Sequence, residues 1–176
     1  RMSGLIQTAD SFTAIKKLIF EKKSLSMERL WSGICTNFTQ DEVLHAMLVY
    51  KSPKYGNDCD EADQMVRELG QYMCTAIQRR HHILGTPLRP GLFSFLEFMN
   101  GECCAALPDG HRAGQPFANG VSPTHGRDYQ GLTAMLRSAA KLDYTLSNNA
   151  ATLDVKLPLN LFSGTSGIRT LSQILR

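Results

Sequence analysis

Residues 101–131 read GECCAALPDGHRAGQPFANGVSPTHGRDYQG, and glycine or proline interrupts this stretch every few positions. Such spacing leaves no room for a long helix or strand. A segment of this length inside a compact chain is usually either a functional loop or a disordered one. Its modest charge and interspersed apolar residues favour order. We therefore predict a long structured loop between two regular parts of the chain.

The part before this loop predicts helices. Apolar residues recur at helical spacing over residues 10–20, 27–37, 39–52 and 60–82, and the last run is the longest. Thr8, Asp10 and Ser11 are candidate N-caps for the first helix. Thr39 followed by Glu42 has the pattern of a capping box for the third.

The elements around and after the loop predict a mixed α/β class. Leu92 to Met99 is aromatic, short and bracketed by turn residues, which favours a buried strand. After the loop, residues 132–142 have helical spacing, residues 150–157 alternate as a strand does, and residues 168–175 are again helical. The expected order is therefore helices, strand, long loop, helix, strand, helix.

Composition excludes several classes of protein. The 176 residues are 43% hydrophobic with a formal net charge of +3, and the basic residues are scattered rather than clustered, which argues against nucleic-acid binding. No apolar run approaches the eighteen or so residues of a membrane helix. Five cysteines without a signal peptide indicate free thiols in a reducing cytoplasm, and their spacing predicts no metal site.

Two common motifs, one for binding nucleotides and one for serine hydrolases, are missing from the sequence. It contains neither a glycine-rich phosphate loop nor a serine nucleophile elbow, which residues 164–167 miss by one position. The adjacent pair Cys103 and Cys104 invites a redox interpretation, but no cation stands beside it to favour the thiolate. Inert cysteines are the simpler interpretation, and a thiol-based redox enzyme stays as a third hypothesis.

Several stretches in fixed order carry a family resemblance. They are ADSFTAIKKL at residues 9–18, KYGND at 54–58, LPDG at 107–110, AGQP at 113–116, GVSP at 120–123, GRD at 126–128 and GLTA at 131–134. Together they resemble the glycyl radical enzymes of the pyruvate formate-lyase superfamily. The resemblance covers nearly the whole chain and implies a middle-to-C-terminal segment, with both ends cut.

This resemblance implies a fold and a chemistry. The family fold is a ten-stranded α/β barrel, so residues 1–176 would form part of one barrel domain, as a helical segment (1–85) and a strand, loop and helix segment (86–176). The parent enzyme would be a cytoplasmic homodimer of anaerobes. It would carry a glycyl radical installed by an iron–sulfur activating enzyme that uses S-adenosylmethionine. The radical cysteine loop is expected before Arg1 and the glycyl loop after Arg176.

The resemblance also implies roles for particular residues. Most loop residues are architectural, foremost Pro108, Asp109, Gly110, Gly126, Asp128 and Gly131. By position, Arg89, Phe93 and Phe95 are expected to reach the substrate cavity; the alternative is that both phenylalanines are core residues, as aromatic strand residues usually are, and that Arg89 pairs with a surface carboxylate. No catalytic residue, metal ligand or cofactor-binding residue is expected in this segment.

One departure from the family pattern concerns the loop arginine. Where the family has Thr-Pro-Asp-Gly-Arg, this chain has Leu107 to His111, and Arg112 comes one place late.

The leading hypothesis is a segment of a glycyl radical lyase, dehydratase or formate acetyltransferase that supplies barrel scaffold and is inactive alone. Its partners would be the remainder of the parent chain and the activating enzyme. The alternative is a standalone, non-catalytic binding or assembly protein descended from the same family.

Overall fold

The computed structural model describes residues 2–157 and 164–174. Within these ranges helices form the frame of the molecule. They are α1 (Leu5–Ile15), a π-helix (Lys16–Glu21), α2 (Met27–Cys35), α3 (Glu42–Tyr50), α4 (Asp60–Gln78), α5 (Glu97–Glu102), α6 (Leu132–Ala140), a 3-10 turn (Tyr144–Leu146) and α7 (Gly164–Ile174). All helices predicted from periodicity are present, and residue 175 of the last prediction lies outside the described ranges.

The first helix begins earlier than predicted. Its N-cap is Gly4, so the proposed caps Thr8, Asp10 and Ser11 all lie inside α1. The Asp10 carboxylate bonds a distant part of the chain instead of its own helix terminus. The helix then widens into the π-helix, where Lys22 N–H donates to Lys17 O, five residues back, at 2.9 Å.

The third helix is capped differently from the prediction. Asp41 is the N-cap, and its Oδ1 accepts a hydrogen bond from Leu44 N–H at 2.9 Å. The Thr39 hydroxyl donates to Thr36 O instead. The predicted capping box of Thr39 and Glu42 is therefore wrong, because the Asp41 carboxylate, one residue before the helix, is the better acceptor.

Two apolar clusters lie along α1 and the π-helix that continues it. Leu5, Ile6 and Ala9 belong to one of them, and Ala14 and Leu18 belong to the other. The first cluster is completed by α4 and residues around the loop, among them Tyr55, Val66, Leu92, Val121 and Leu142. The second is completed by residues of α2, α3, their connection and the long loop, among them Leu30, Phe38, Leu44, Leu48 and Ala106. One helix thus joins both halves of the core.

The strand predicted over Leu92 to Met99 is wrong. Over those residues the structure has one parallel bridge, between Leu92 and Ala151, followed by α5 from Glu97. The Ser94 hydroxyl accepts a hydrogen bond from Leu96 N–H and turns the backbone out of the extended direction. Phe95, Phe98 and Met99 are also spaced as neighbours on a helix, so the aromatic run is ambiguous between the two states.

The strand predicted over residues 150–157 is also limited to this bridge. Leu92 N–H donates to Ala150 O at 2.7 Å, and Thr152 N–H donates to Leu92 O at 3.2 Å. Two residues further on, Asp154 N–H bonds the Ser122 hydroxyl rather than a neighbouring backbone carbonyl. The alternating pattern therefore marks a short extended contact and not a full ladder in the described residues.

The long loop is confirmed. Between α5 and α6 the chain runs from residue 103 to residue 131 through successive turns. Much of it is nevertheless buried, including Ala106, Asp109, His111, Val121 and Thr124. No helix in the described ranges is long and apolar enough to span a membrane.

Candidate functional site

The segments that carry the sequence motifs meet in what we call the buried polar cluster, formed by the buried Asp10, Lys54 and Asp109 together with the half-buried Arg127. Asp10 lies in the middle of α1, and its Oδ1 accepts a hydrogen bond from Tyr55 N–H at 3.0 Å. Lys54 Nζ donates to Asp109 O at 3.0 Å and to the Ser52 hydroxyl at 2.8 Å. The cluster therefore ties the first helix, residues 52–57 and the Pro-Asp-Gly loop together.

Burial dominates the electrostatics of this cluster. Asp10 and Lys54 each expose 1% of their surface. Desolvation raises the pKa of the Asp10 carboxyl to about 7, although the positive charge of Lys54 opposes the shift. Desolvation likewise lowers the pKa of the Lys54 ammonium, against the attraction of Asp10 and Asp109. Both groups are therefore shifted toward their neutral forms.

The Pro-Asp-Gly loop is built around its own buried aspartate. Asp109 Oδ1 accepts a hydrogen bond from His111 N–H at 2.9 Å, which closes the turn. Gly110 has φ +89°, and a Cβ atom there would lie 2.8 Å from Val49 Cγ2. Both observations require glycine at this position. Pro108 is half-buried at the start of the turn.

The carbonyl oxygen of Gly110 accepts hydrogen bonds from two side chains that come from different parts of the chain. His45 Nε2 lies 3.0 Å from this oxygen, and Arg127 donates to it at 3.4 Å. Because a carbonyl only accepts, the proton of the neutral His45 ring sits on Nε2. The approach of Arg112 Nε to the same nitrogen, at 3.4 Å, is then a packing contact and not a hydrogen bond. Burial and the charge of Arg112 lower the pKa of His45, which favours this neutral ring.

The structure explains the displaced loop arginine. His111 is buried, and its Nε2 donates to Gln115 O at 2.8 Å within the loop. Arg112 points the other way and forms an ion pair with Glu42 on α3. The guanidinium therefore joins the loop to α3, and the histidine fills the interior position.

The remaining loop residues of the prediction have unequal roles. Gly131 is the N-cap of α6 with φ +84°, and Gly126 is an exposed turn residue. Asp128 is exposed and outside the buried cluster. Asn57 holds this part of the loop instead: it donates to Lys54 O and Arg127 O and accepts from Gln130 N–H.

A second charged group, which we call the lysine 141 cluster, lies where α6 meets the start of α4. Lys141 Nζ lies 2.8 Å from Asp58 Oδ1, from Asp60 Oδ1 and from Asp63 Oδ2. Burial lowers the pKa of the Lys141 ammonium group, but the hydrogen bonds to these carboxylates have the larger combined effect and raise the pKa. Asp60 and Asp63 lie in the first turn of α4, where the helix dipole favours carboxylates, and they also bind the ammonium group of Lys141.

The residues predicted to line a substrate cavity do not join either cluster. Arg89 and Phe95 are exposed, and Phe93 is half-buried with its ring centroid 5.4 Å from that of Phe95. Their role toward a substrate therefore stays a prediction. Within the described ranges, no group of three His, Cys, Asp or Glu side chains is placed to hold a metal ion.

Sequence reasoning missed the buried polar cluster as a unit. The available clue was that Asp10 and Lys54 are charged residues inside otherwise apolar or turn-forming motifs. Spacing along the chain could not pair them, because 44 positions separate them and Asp109 is a further 55 away. The arrangement positions backbone segments, since its hydrogen bonds go mainly to main-chain groups.

Comparison with known proteins supports the family resemblance. A family model described as pyruvate formate lyase-like matches residues 1–98, and one described as glycine radical matches residues 117–176. The chain is 29% identical over 174 residues to trans-4-hydroxy-L-proline dehydratase of Clostridioides difficile, covering 98% of this chain and 22% of that protein. It is 34% identical over 176 residues to isethionate sulfite-lyase of Bilophila wadsworthia, and this match covers 98% of this chain and 21% of that protein.

A solved structure agrees with these sequence matches. The glycerol-bound, B12-independent glycerol dehydratase of Clostridium butyricum superposes with a TM-score of 0.92 at 32% identity, over 98% of this chain and 22% of that one. The chain thus spans about a fifth of the length of the relatives it matches. Since one family model alone matches more than half of its residues, the chain belongs to the pyruvate formate lyase-like family of glycyl radical enzymes.

Proposed function

We propose that the chain is a scaffold segment of a longer glycyl radical enzyme and is catalytically inactive alone. The observation that carries this proposal is that both family models match within one chain that spans about a fifth of its relatives. The two clusters support it, because their side chains hold helices and loop in place rather than present a nucleophile to solvent. The segment would fix the position of the Pro-Asp-Gly loop within the parent enzyme.

Exposed apolar side chains also support a scaffold role. Val43 and Tyr50 on α3 are 73% and 74% exposed, and Phe95 beside α5 is 73% exposed. Trp31 on α2 and Ile83 after α4 are exposed as well. Large apolar side chains in such number usually face another surface. We propose that the remainder of the parent chain covers them.

The parent enzyme would be a radical dehydratase, lyase or formate acetyltransferase. Its glycyl radical would be installed by an S-adenosylmethionine-dependent iron–sulfur activating enzyme, and its biological unit would be a cytoplasmic homodimer. These assignments rest on the family and on the names of the relatives. The substrate would be set by residues outside this segment together with Arg89, Phe93 and Phe95.

The size of the natural product tests the scaffold proposal. An antibody raised against this chain would capture the protein from anaerobically grown source cells, and intact mass would give its length. We expect a mass several times 19.5 kDa and, after anaerobic activation, the electron paramagnetic resonance signal of a glycyl radical. A product of 19.5 kDa would contradict the proposal.

The standalone binding protein is the second candidate. It predicts that the purified 176-residue chain is monomeric, melts cooperatively and does not bind a dye for apolar surfaces. The exposed aromatic residues on α2 and near α5 favour the scaffold proposal, which predicts strong dye binding.

Thiol labelling tests the redox hypothesis. Burial, with the nearby charge of Asp109, raises the pKa of the half-buried Cys104, so its thiol stays protonated at neutral pH. We expect iodoacetamide to alkylate Cys104 more slowly than the exposed Cys35 of the same molecule, as followed by peptide mass spectrometry. Faster labelling of Cys104 than of Cys35 would instead support a reactive thiol.

A further inference from the structure

The carboxyl group of Asp10 has an unusual environment. It is completely enclosed, and Oδ1 accepts one hydrogen bond, from Tyr55 N–H. Oδ2 is also buried and has no hydrogen-bond partner among the described residues. An ionised carboxylate loses strong hydration at both oxygens when it is buried, whereas the neutral acid loses far less. This geometry suits a carboxyl group that holds a proton.

Charged groups face Asp10 from the neighbouring segments. Lys54 approaches from the segment after α3, and Asp109 and Arg127 approach from the long loop. From α4, Asp63 acts on the ring of Tyr55 rather than on Asp10 directly. Lys54 donates to Ser52 and to the Asp109 carbonyl, so its hydrogen bonds do not go to the Asp10 carboxylate. Asp10 is thus surrounded by charge without a direct ion pair.

We propose that Asp10 is a buried proton switch that controls how firmly residues 54–58 and the Pro-Asp-Gly loop are held against α1. With the proton on, the neutral acid leaves no uncompensated negative charge at the buried Oδ2, and Lys54 remains bonded to the Asp109 carbonyl. When the proton is lost, the buried carboxylate has a single hydrogen-bond donor, Tyr55 N–H, and it attracts the Lys54 ammonium group and water molecules. The contact between the first helix and the loop then loosens.

The direction of the pH dependence follows from linkage. The pKa of Asp10 is about 7 in the folded chain and near 3.9 in an unfolded chain. A group with a raised folded pKa contributes its full stability below the unfolded value, and that stability is lost as pH rises through the folded value. The lowered pKa of Lys54 has the opposite sign: below its unfolded value the unfolded chain binds the extra proton, so this contribution to stability rises with pH there. The contribution of Asp10 to local stability should therefore fall between pH 4 and pH 7.

Hydrogen exchange measures the loosening directly. We expect the protection of Tyr55 N–H and His111 N–H, corrected for intrinsic exchange, to fall more than tenfold between pH 5 and pH 8. In Asp10→Asn, which keeps an acceptor for Tyr55 N–H and cannot ionise, protection should change less than about threefold. Asp128→Asn, at an exposed aspartate, is the matched control and should behave as the wild type does. An unchanged tenfold fall in Asp10→Asn would overturn the proposal.

Infrared spectroscopy gives a second test, and its first part uses the unmodified protein. A protonated carboxyl band should be present at pH 5 and should disappear with a midpoint near pH 7. Lys54→Met should move this midpoint up by at least one pH unit, and Asp109→Asn should move it down, because their charges act on Asp10 with opposite sign. A midpoint below pH 5 in the wild type would show an ordinary carboxylate and would refute the switch.

Discussion

Replacing Gly101 with alanine should destabilise the chain by about 3 kcal/mol, at the upper end of the cost of overpacking. Gly101 is buried inside α5, and an added Cβ would clash with the carbonyl oxygen of Gln115 and lie 2.8 Å from Pro116 Cα. Both are backbone atoms of the long loop, so no side-chain rotation can relieve the contact. Urea unfolding of the purified variant would measure the loss, which corresponds to about 6–12 °C in Tm.

Gly70 offers the matched control within the same chain. It also lies inside a helix, α4, but a Cβ there would lie 3.6 Å from Leu5 Cδ2, an ordinary packing distance. Gly70→Ala should therefore be neutral or stabilise the chain by up to about 1 kcal/mol, through helix propensity. Equal losses at both positions would show that α5 does not pack against residues 115–116 as described.

Replacing Lys141 with alanine should destabilise the chain by about 2–3 kcal/mol at neutral pH. The substitution leaves three carboxylates near one another, and the side chain of Asp63 is fully buried. Removing one partner of a buried ion pair costs more than the pair contributes, since the remaining charge lacks compensation. Thermal unfolding at pH 7 would measure this loss.

The effect should shrink in acid. Hydrogen bonds from Lys141, and less so from Arg137, lower the pKa of Asp58, so its contribution to stability is present above the unfolded pKa and is lost as pH falls through the folded value. Without Lys141 this contribution is absent, and below about pH 4 protonation relieves the repulsion among the carboxylates. Arg137→Ala, which removes an exposed pair with Asp58, is the control and should change stability within the error of the measurement. A loss in Lys141→Ala that is independent of pH would contradict an electrostatic origin.

The helices were predictable because their periodicity is local. α4 buries Ala62, Val66 and Cys74 at helical spacing, and α6 ends close to its predicted limit. Helix starts were less predictable. The side chain of Asp10 could cap a helix by local chemistry, but it is drawn to Tyr55 N–H, 45 residues away.

The strands illustrate the opposite case. Aromatic and alternating residues fit a sheet only if neighbouring backbone is available to pair with them. Leu92 forms one bridge with Ala151. The chain then turns at Ser94, and α5 begins at Glu97. Pairing is a property of two segments, and the pattern of either segment alone could not decide it.

The sequence by itself determined the family, the helical frame and the long glycine- and proline-rich loop, because motifs, periodicity and turn residues act over a few positions. Only the tertiary structure decided which charges meet. Asp10, Lys54 and Asp109 form one buried cluster, and Lys141 joins three aspartates at the start of α4, although long stretches of chain separate them. Burial and distance in space set the charge state of such groups, and neither can be read along a chain.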